Sequence, residues 1–324
     1  MNTDTNIQVE AIVTEINKQL KTNLVVGNDE ALDTVRIETG MPALDQMLGG
    51  GIPRLAVTEL FGYQSSGKTY ISQRIIANAQ KLGNTCAFID AEFSYDPIWS
   101  ANIGIDTEKL IVSRPQTGEK ALDVLLALCD QGVDLVVLDS IAALLPTAEA
   151  QEGMEHQSIG LQARMMNQFY RKLPQSNTKT AIILINQIRA GIGGYITRDA
   201  LPGGKGQEFF SRIMVRVRKG EAIGEVKSPQ GFFIEMKAEK NKTSRPLLTS
   251  SVPFYFTGLP DPLYEMFMIA KDLSIIKQSG PQYSYINSST GEVTKGMGRE
   301  KFLQILKESE ELQSQISEEI KELS

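Results

Sequence analysis

The sequence predicts an α/β protein: a mainly parallel, twisted sheet flanked by helices, preceded by a short helix-strand element and followed by a small α/β region. Three observations predict it. From about residue 55 to residue 185, short apolar runs alternate with stretches of helical period, the mark of strands joined through helices that cover the sheet. The composition, 41% hydrophobic and 22% charged over 324 residues, is that of a globular chain with a real core and room for roughly two domains. Pro260 and Pro262 then punctuate the chain before its last segment.

In order along the chain, Val9, Ile12, Val13, Ile16 and Leu20 recur at helical spacing, which predicts a helix over about 6–20 and a short strand at 24–26. This pair is expected to pack on something other than itself. A strand at 55–61, a helix at 67–81 and a strand at 86–90 follow. Next come a strand at 110–113, a helix at 118–130, a strand at 133–138, a helix at 161–173 and a strand at 181–185. The stretch 190–206 is Gly-rich and has no period. Strand-like runs at 212–218 and 231–238 are expected to be antiparallel neighbours, and an acidic helix is expected over 299–323. The segments divide as 1–34, 35–260 and 261–324.

The N-terminus carries no signal-peptide core, and no run approaches 18 apolar residues, so neither secretion by that route nor a membrane span is expected. Cys86 and Cys129 lie in apolar runs without metal-ligand spacing and read as reduced core residues of a cytoplasmic protein. The net charge of -6 is of the wrong sign for binding nucleic acid, but it is unevenly placed. Residues 160–245 hold 16 Lys and Arg against 6 Asp and Glu, a local +10 that leaves the rest of the chain strongly acidic. A basic region of that size suits a phosphate backbone, or equally a solvated surface spread over several faces.

Gly62-Tyr63-Gln64-Ser65-Ser66-Gly67-Lys68-Thr69 fits the pattern G-x-x-x-x-G-K-[ST] between an apolar strand and an amphipathic helix. The glycines let the loop wrap closely around phosphates, and backbone N–H groups at the helix start supply partial positive charge. Lys68 would reach the β- and γ-phosphates and Thr69 would offer its hydroxyl to Mg²⁺. The apolar strand ending in Asp139 supplies a second metal contact, although an aspartate there also serves as a helix cap. Glu92, just past the strand 86–90, would stand at the same carboxyl edge of the sheet, where a base must polarise the attacking water.

These motifs, with Phe88-Ile89-Asp90-Ala91-Glu92, Val137-Leu138-Asp139-Ser140-Ile141-Ala142, Gly160-Leu161-Gln162-Ala163-Arg164-Met165-Met166 and Ile185-Asn186-Gln187-Ile188-Arg189, closely resemble the successive motifs of the RecA family of recombinases, in order and at matching separations. The resemblance implies a RecA-type P-loop ATPase core that uses ATP and Mg²⁺. It also implies a helical homopolymer on single-stranded DNA, and pairing with homologous double-stranded DNA for strand exchange. In it Glu92 is the catalytic base and Gln187 the sensor of the γ-phosphate. Gly62, Ser65, Ser66, Gly67, Lys68, Thr69 and Tyr70 hold the phosphates, Asp96 reads adenine, and Trp99 stacks on the base where the family usually has a tyrosine; Tyr264 joins the nucleotide contacts. Lys240 and Lys242 match a lysine pair that reaches across the subunit interface to the neighbour's γ-phosphate.

Two stretches match the family's DNA loops, 149–160 and 189–206. Ile159 and Ile192 match the wedge positions between base triplets, while Arg164, Asn167, Arg171, Arg189, Gly203 and Gly204 match backbone-gripping ones. Ala200-Leu201-Pro202, Met154 and His156 depart from the family's loop sequences. Phe209 matches an interface aromatic, but Glu208 and Met214 stand where the family is often basic, which argues against mixed filaments with another member. Two other readings share the ATPase core. One is an accessory protein that binds ATP and DNA without exchanging strands; the other is a hexameric helicase-like motor.

Overall fold

The computed structural model describes residues 3–151, 160–188, 201–225, 227–288 and 290–323. They form two compact units, Met1–Val35 and Arg36–Ser324. In the first, helix α1 (Thr3–Leu20) is followed by a single 3₁₀ turn at Glu30–Leu32. The strand expected at 24–26 does not form. The side chain of Asn17 takes both main-chain groups of Leu24, accepting from its N–H at 2.6 Å and donating to its carbonyl at 2.8 Å, so that residue has no ladder bonds left to make.

The second unit opens with β1 (Arg36–Ile37), α2 (Pro42–Leu48) and β2 (Ile52–Pro53), the two short strands pairing antiparallel. Its main sheet is built from β3 (Ala56–Gly62), α3 (Lys68–Lys81), β4 (Cys86–Asp90), α4 (Pro97–Ile103), β5 (Leu110–Ser113), α5 (Gly118–Asp130) and β6 (Leu135–Asp139), then α6 (Thr147–Gln151), α7 (Leu161–Ser176) and β7 (Ala181–Gln187). It continues through α8 (Gly206–Phe210), β8 (Ile213–Glu225), β9 (Ser228–Asn241) and β10 (Thr249–Tyr255). The eight strands lie in the order β10-β9-β8-β3-β7-β6-β4-β5, parallel from β8 to β5 and antiparallel from β8 to β10. The first DNA-loop stretch is shorter than expected, because its first residues, Glu149 to Gln151, belong to α6.

Strands β3, β4 and β6 are buried at every position, as strands covered on both faces must be. One cover packs Ile71 and Ile75 of α3 against Phe88 and Val137; the other packs Leu122 and Leu125 of α5 with Phe169 and Tyr170 of α7 against Val136 and Leu184. Truncating any of these large side chains to Ala costs about 2–5 kcal/mol, since the close-packed layers cannot collapse around the void. Cys86 and Cys129 are free and buried within the covers, and burial pushes their thiols up to about 12 and about 11.

The C-terminal segment has its own core. Helix α9 (Pro262–Asp272) precedes an antiparallel sheet of β11 (Ile276–Ser279), β12 (Gln282–Ile286) and β13 (Val293–Met297), followed by α10 (Arg299–Glu308) and α11 (Glu310–Leu323). Phe267, Tyr285, Phe302, Leu306 and Ile316 cluster among them. The single acidic helix expected here is two helices. Ser309 leaves the helical region at φ -129°, ψ 96° and its hydroxyl accepts from Leu312 N–H at 3.2 Å, a break that lets Leu312 and Ile316 reach the same core as Phe302.

The sheet's main consequence is convergence. Strands β3, β4, β6 and β7 are parallel neighbours, so Gly62, Asp90, Asp139 and Gln187 end at one edge, although they are far apart in the chain.

Candidate nucleotide site and DNA-facing edge

Strand β3 delivers the chain to Gly62, which passes directly under β8: a Cβ there would stand 2.1 Å from the Val217 carbonyl oxygen. Gly67, at the start of α3, has φ +97°, and a Cβ on it would meet Ile234 at 2.3 Å. Both positions therefore require glycine, one for close approach and one for both reasons. The loop between them ends on the first turn of a 14-residue helix, whose unpaired N–H groups favour an anion. Lys68 is buried, with its ammonium donating to the carbonyls of Tyr63 at 2.8 Å and Gly62 at 3.2 Å. Burial lowers its pKa, while the neighbouring carboxylates of Asp139 and Glu92 draw it back up.

Thr69 Oγ1 donates to Asp139 Oδ2 at 2.6 Å. Burial pushes the Asp139 carboxyl up to about 7, against the Thr69 hydrogen bond and with Glu92's charge adding to the rise. A hydroxyl touching a buried carboxylate is a hard-oxygen pair suited to Mg²⁺, which commonly takes one or two protein oxygens and completes its shell with water and phosphate. Glu92 Oε1 accepts from Ser140 Oγ at 2.5 Å and from Gln187 Nε2 at 2.6 Å, so the expected base and the expected sensor are in direct contact.

Asp139 holds Glu92 in place through the main chain, and Asp90, Arg114 and Ser140, which carried no expected role, support the same turn. The N–H of Glu92 and that of Ala91 donate to the Asp139 carbonyl at 3.2 and 2.8 Å. Asp90, fully buried, accepts from Ser94 N–H at 2.9 Å, Tyr95 N–H at 3.0 Å and Arg114 Nε at 3.0 Å, and Arg114 also donates to the Tyr95 carbonyl. Ser140 completes the set from the end of β6. Asp90 lies inside a motif visible in the sequence, but nothing local marks Arg114 as its partner.

A cavity of about 450 Å³ opens over these groups, lined by polar side chains of Ser65, Ser66, Lys68, Thr69, Glu92 and Gln187 and by the rings of Tyr70, Trp99, Phe232 and Phe254. Trp99 and Tyr70 stand edge-on to Phe254 at 6.3 and 4.7 Å between ring centroids. Flat apolar rings in the same cavity as a phosphate loop suit a nucleobase. Asp96 is exposed and caps α4, accepting from Ile98 N–H at 2.7 Å and Trp99 N–H at 3.0 Å through one oxygen, so it orients Trp99. Tyr264 is 3% exposed, and neither it nor Asp96 lines the cavity of its own chain. Asp261 caps the start of α9 through the Tyr264 N–H, and this turns the ring inward against Phe233 and Phe267.

The lysine pair lies elsewhere. Lys240, near the end of β9, donates through Nζ to the carbonyls of Ser211, at 2.5 Å, and Glu208; burial and the charge of Lys242 lower its pKa. Lys242 is exposed. Lys240 borders a second cavity, about 420 Å³, with Phe61, Ile188, Leu201 and Arg216. Phe209 stands 73% exposed on α8, whereas Met214 is buried with Phe61 and Ile188 and borders the same second cavity as Glu208 and Lys240.

On α7, Arg164, Asn167 and Arg171 follow one another at helical spacing on a single face, and Arg171 Nε donates to the Asn167 carbonyl at 3.3 Å. Gly203 and Gly204 bring the chain back onto that helix, where a Cβ on Gly204 would stand 2.8 Å from Ala163 Cβ. Met154, His156, Ile159, Arg189 and Ile192 lie outside the described residues. The basic region is not one face. Lys179 precedes β7 and pairs with Asp134 at 2.9 Å beside Arg54, at the end of the sheet opposite the phosphate loop.

The fold and this site define a phosphate-loop ATPase of the kind built on a mainly parallel sheet. Comparison with known proteins narrows the class. Residues 7–259 match the RecA N-terminal domain. The protein RecA of Thermotoga neapolitana is 38% identical over 305 residues, covering 92% of this chain and 87% of that protein. That of Thermus aquaticus is 40% identical over 292 residues, covering 88% and 84%, and that of Clostridium novyi is 38% identical over 332 residues, covering 99% and 93%. The chain belongs to the RecA family. It is a RecA-like recombinase of DNA recombination and repair and a DNA-dependent ATPase. Among the described residues, no helix is long and apolar enough to cross a membrane.

Proposed function

We propose that the chain binds ATP with Mg²⁺ in the larger cavity, polymerises as a helical filament on single-stranded DNA in the cytoplasm, and exchanges strands with homologous double-stranded DNA. The observation that carries this reading is the 2.6 Å bond between Gln187 and Glu92 at the end of β7, because Gln187 is also the last strand residue before the stretch that matches the second DNA loop. A group that touches the base on one side and leads to a DNA loop on the other can link hydrolysis to DNA.

In this reading the glycine loop and Lys68 grip the β- and γ-phosphates, while Thr69 and Asp139 hold Mg²⁺, which neutralises phosphate charge. Glu92 takes the proton of the attacking water, and Ser140 and Gln187 fix its orientation. Trp99 and Phe254 receive the adenine. Arg164, Asn167, Arg171, Gly203 and Gly204, with Ile159, Arg189 and Ile192, meet the DNA. Lys240 and Lys242 stabilise transition-state charge at the neighbouring subunit, since neither borders the cavity of its own chain. Residues 1–34 serve polymerisation, 35–260 form the ATPase core and 261–324 a second domain.

Electron microscopy with ATP and single-stranded DNA, together with a strand-exchange assay, tests the reading. Helical filaments and exchanged product are expected. A closed ring would favour the motor, and filaments without product would favour the accessory protein.

A further inference from the structure

Glu59 sits in the middle of β3, fully buried, where every other strand residue except Thr58 is apolar or glycine. Its Oε1 accepts from Asn186 Nδ2 at 2.9 Å and its Oε2 from Ser211 Oγ at 3.3 Å. A carboxylate in such a place is costly, and a packed aliphatic side chain would normally be cheaper. Burial accordingly pushes this carboxyl up to about 7, against the two hydrogen bonds.

The partners of Glu59 explain what the position gains. Asn186 Oδ1 accepts the N–H of Gln187 at 2.9 Å, fixing the sensor's main chain. Asn186 Nδ2 faces three acceptors: Glu59, the Pro202 carbonyl at 3.0 Å and Gln207 Oε1 at 3.1 Å. An amide nitrogen has only two hydrogens. Those hydrogens are therefore shared, and a small shift of the β7 end would redistribute them among partners on β3, on Pro202 near the end of the second DNA-loop stretch, and on α8. Ser211, at the end of α8, then connects Glu59 to Lys240, whose ammonium donates to the Ser211 carbonyl. A continuous line of contacts thus runs from Glu92 through Gln187, Asn186, Glu59 and Ser211 to Lys240.

We propose that Glu59 and Asn186 are a positioning pair that links the Gln187 end of β7 to residues 202–211 and, through Ser211, to Lys240, so that nucleotide in the chain's own cavity is felt both beside the DNA loop and at the lysine offered to the next subunit. This rests on the reading of Gln187 as sensor. Neither residue borders the nucleotide cavity, so the pair acts through others.

Coupling between two ligands is reciprocal, so one number tests the pair: the factor by which a non-hydrolysable ATP analogue tightens single-stranded DNA binding, measured by fluorescence anisotropy on the full chain. Glu59→Ala is expected to reduce that factor at least tenfold, while the affinity of the DNA-free protein for the analogue stays within twofold of the parent. Glu59→Gln, which keeps an acceptor toward Asn186, is expected to restore the factor to within threefold. Equal weakening of both affinities with the factor intact would reduce Glu59 to a structural role and overturn the proposal. If Glu59→Ala does not fold, Gln207→Leu decides: it removes one acceptor of the shared amide, and a factor equal to the parent's overturns the proposal. A parent protein whose DNA affinity ignores the analogue sinks the sensor reading and this inference together; a coupled parent with a coupled Glu59→Ala sinks the inference alone.

Discussion

The cavity over the phosphate loop and the edge at Lys240 both gather charge, but they are held differently. Around the cavity, polar side chains are paired with others of the same chain: Thr69 with Asp139, Glu92 with Ser140 and Gln187, and beneath them Asp90 with Arg114. Four parallel strands end there, so the sheet itself sets the geometry. At the other edge Lys242 is exposed, and Lys240 reaches only main-chain carbonyls, a resting place for an ammonium and not an ion pair. The contrast teaches that side-chain pairs assemble the first site, while in the second the Lys240 ammonium rests on main-chain carbonyls within a cavity that Glu208 and Glu239 also line.

The difference is breakable in order of severity. Lys68→Ala should abolish hydrolysis by removing nucleotide affinity itself, on the order of a thousandfold, because a buried cation facing phosphate is lost; titration with a fluorescent ATP analogue reads it. The Lys240→Ala/Lys242→Ala double variant should keep ATP and DNA binding yet lose DNA-stimulated turnover by roughly a thousandfold, the scale of charge supplied in trans. Mixing it with Glu92→Gln should recover turnover that neither has alone, since a Glu92→Gln protomer lends its lysines to a neighbour whose Glu92 is intact. No recovery in confirmed co-filaments would place the lysines in their own subunit's service.

Glu92→Gln should bind nucleotide normally and hydrolyse about a hundredfold more slowly in saturating DNA, the lower range for a lost general base. A wild-type rate would move the base to another carboxylate.

A smaller effect concerns stability. Burial raises Glu59 to about 7 in the folded protein, so between its unfolded value and pH 7 the folded state holds the extra proton and stability declines as pH rises. The nearest charges facing it are those of Glu208, which adds to the rise, and Lys240, which opposes it. Glu59→Gln should flatten that decline by about 1–3 kcal/mol between pH 4.5 and 7 in urea titrations. An unchanged slope would mean that Glu59 titrates alike in both states.

The smallest expected change lies in salt dependence. DNA affinity should fall steeply with salt despite the acidic composition, and Arg164→Ala or Arg171→Ala should each lower the slope by about one unit. Lys179→Ala should leave it unchanged, because Lys179 pairs with Asp134 at the opposite end of the sheet. An equal effect from all three would mean that position along the sheet does not matter.

Much of this was legible before any coordinates. The phosphate loop, Asp139 and Glu92 follow strands or precede a helix, and local periodicity alone places them at strand ends; β4, β5 and α5 begin and end where the apolar pattern does. Resemblance added Gln187, whose place in the cavity periodicity could not supply. What the sequence could not settle involves partners brought together by strand order. Gln187 meets Glu92 across 95 residues and Asn186 meets Glu59 across 127, because β7 inserts between β3 and β6. The Arg114 brace on Asp90 and the packing of Met214 against Phe61 have the same origin. A side chain's type and spacing are local properties, and they determined the strands, the helices and the phosphate loop of this protein. Which side chains touch depends on the order and direction in which strands pair, and only the tertiary structure decided that.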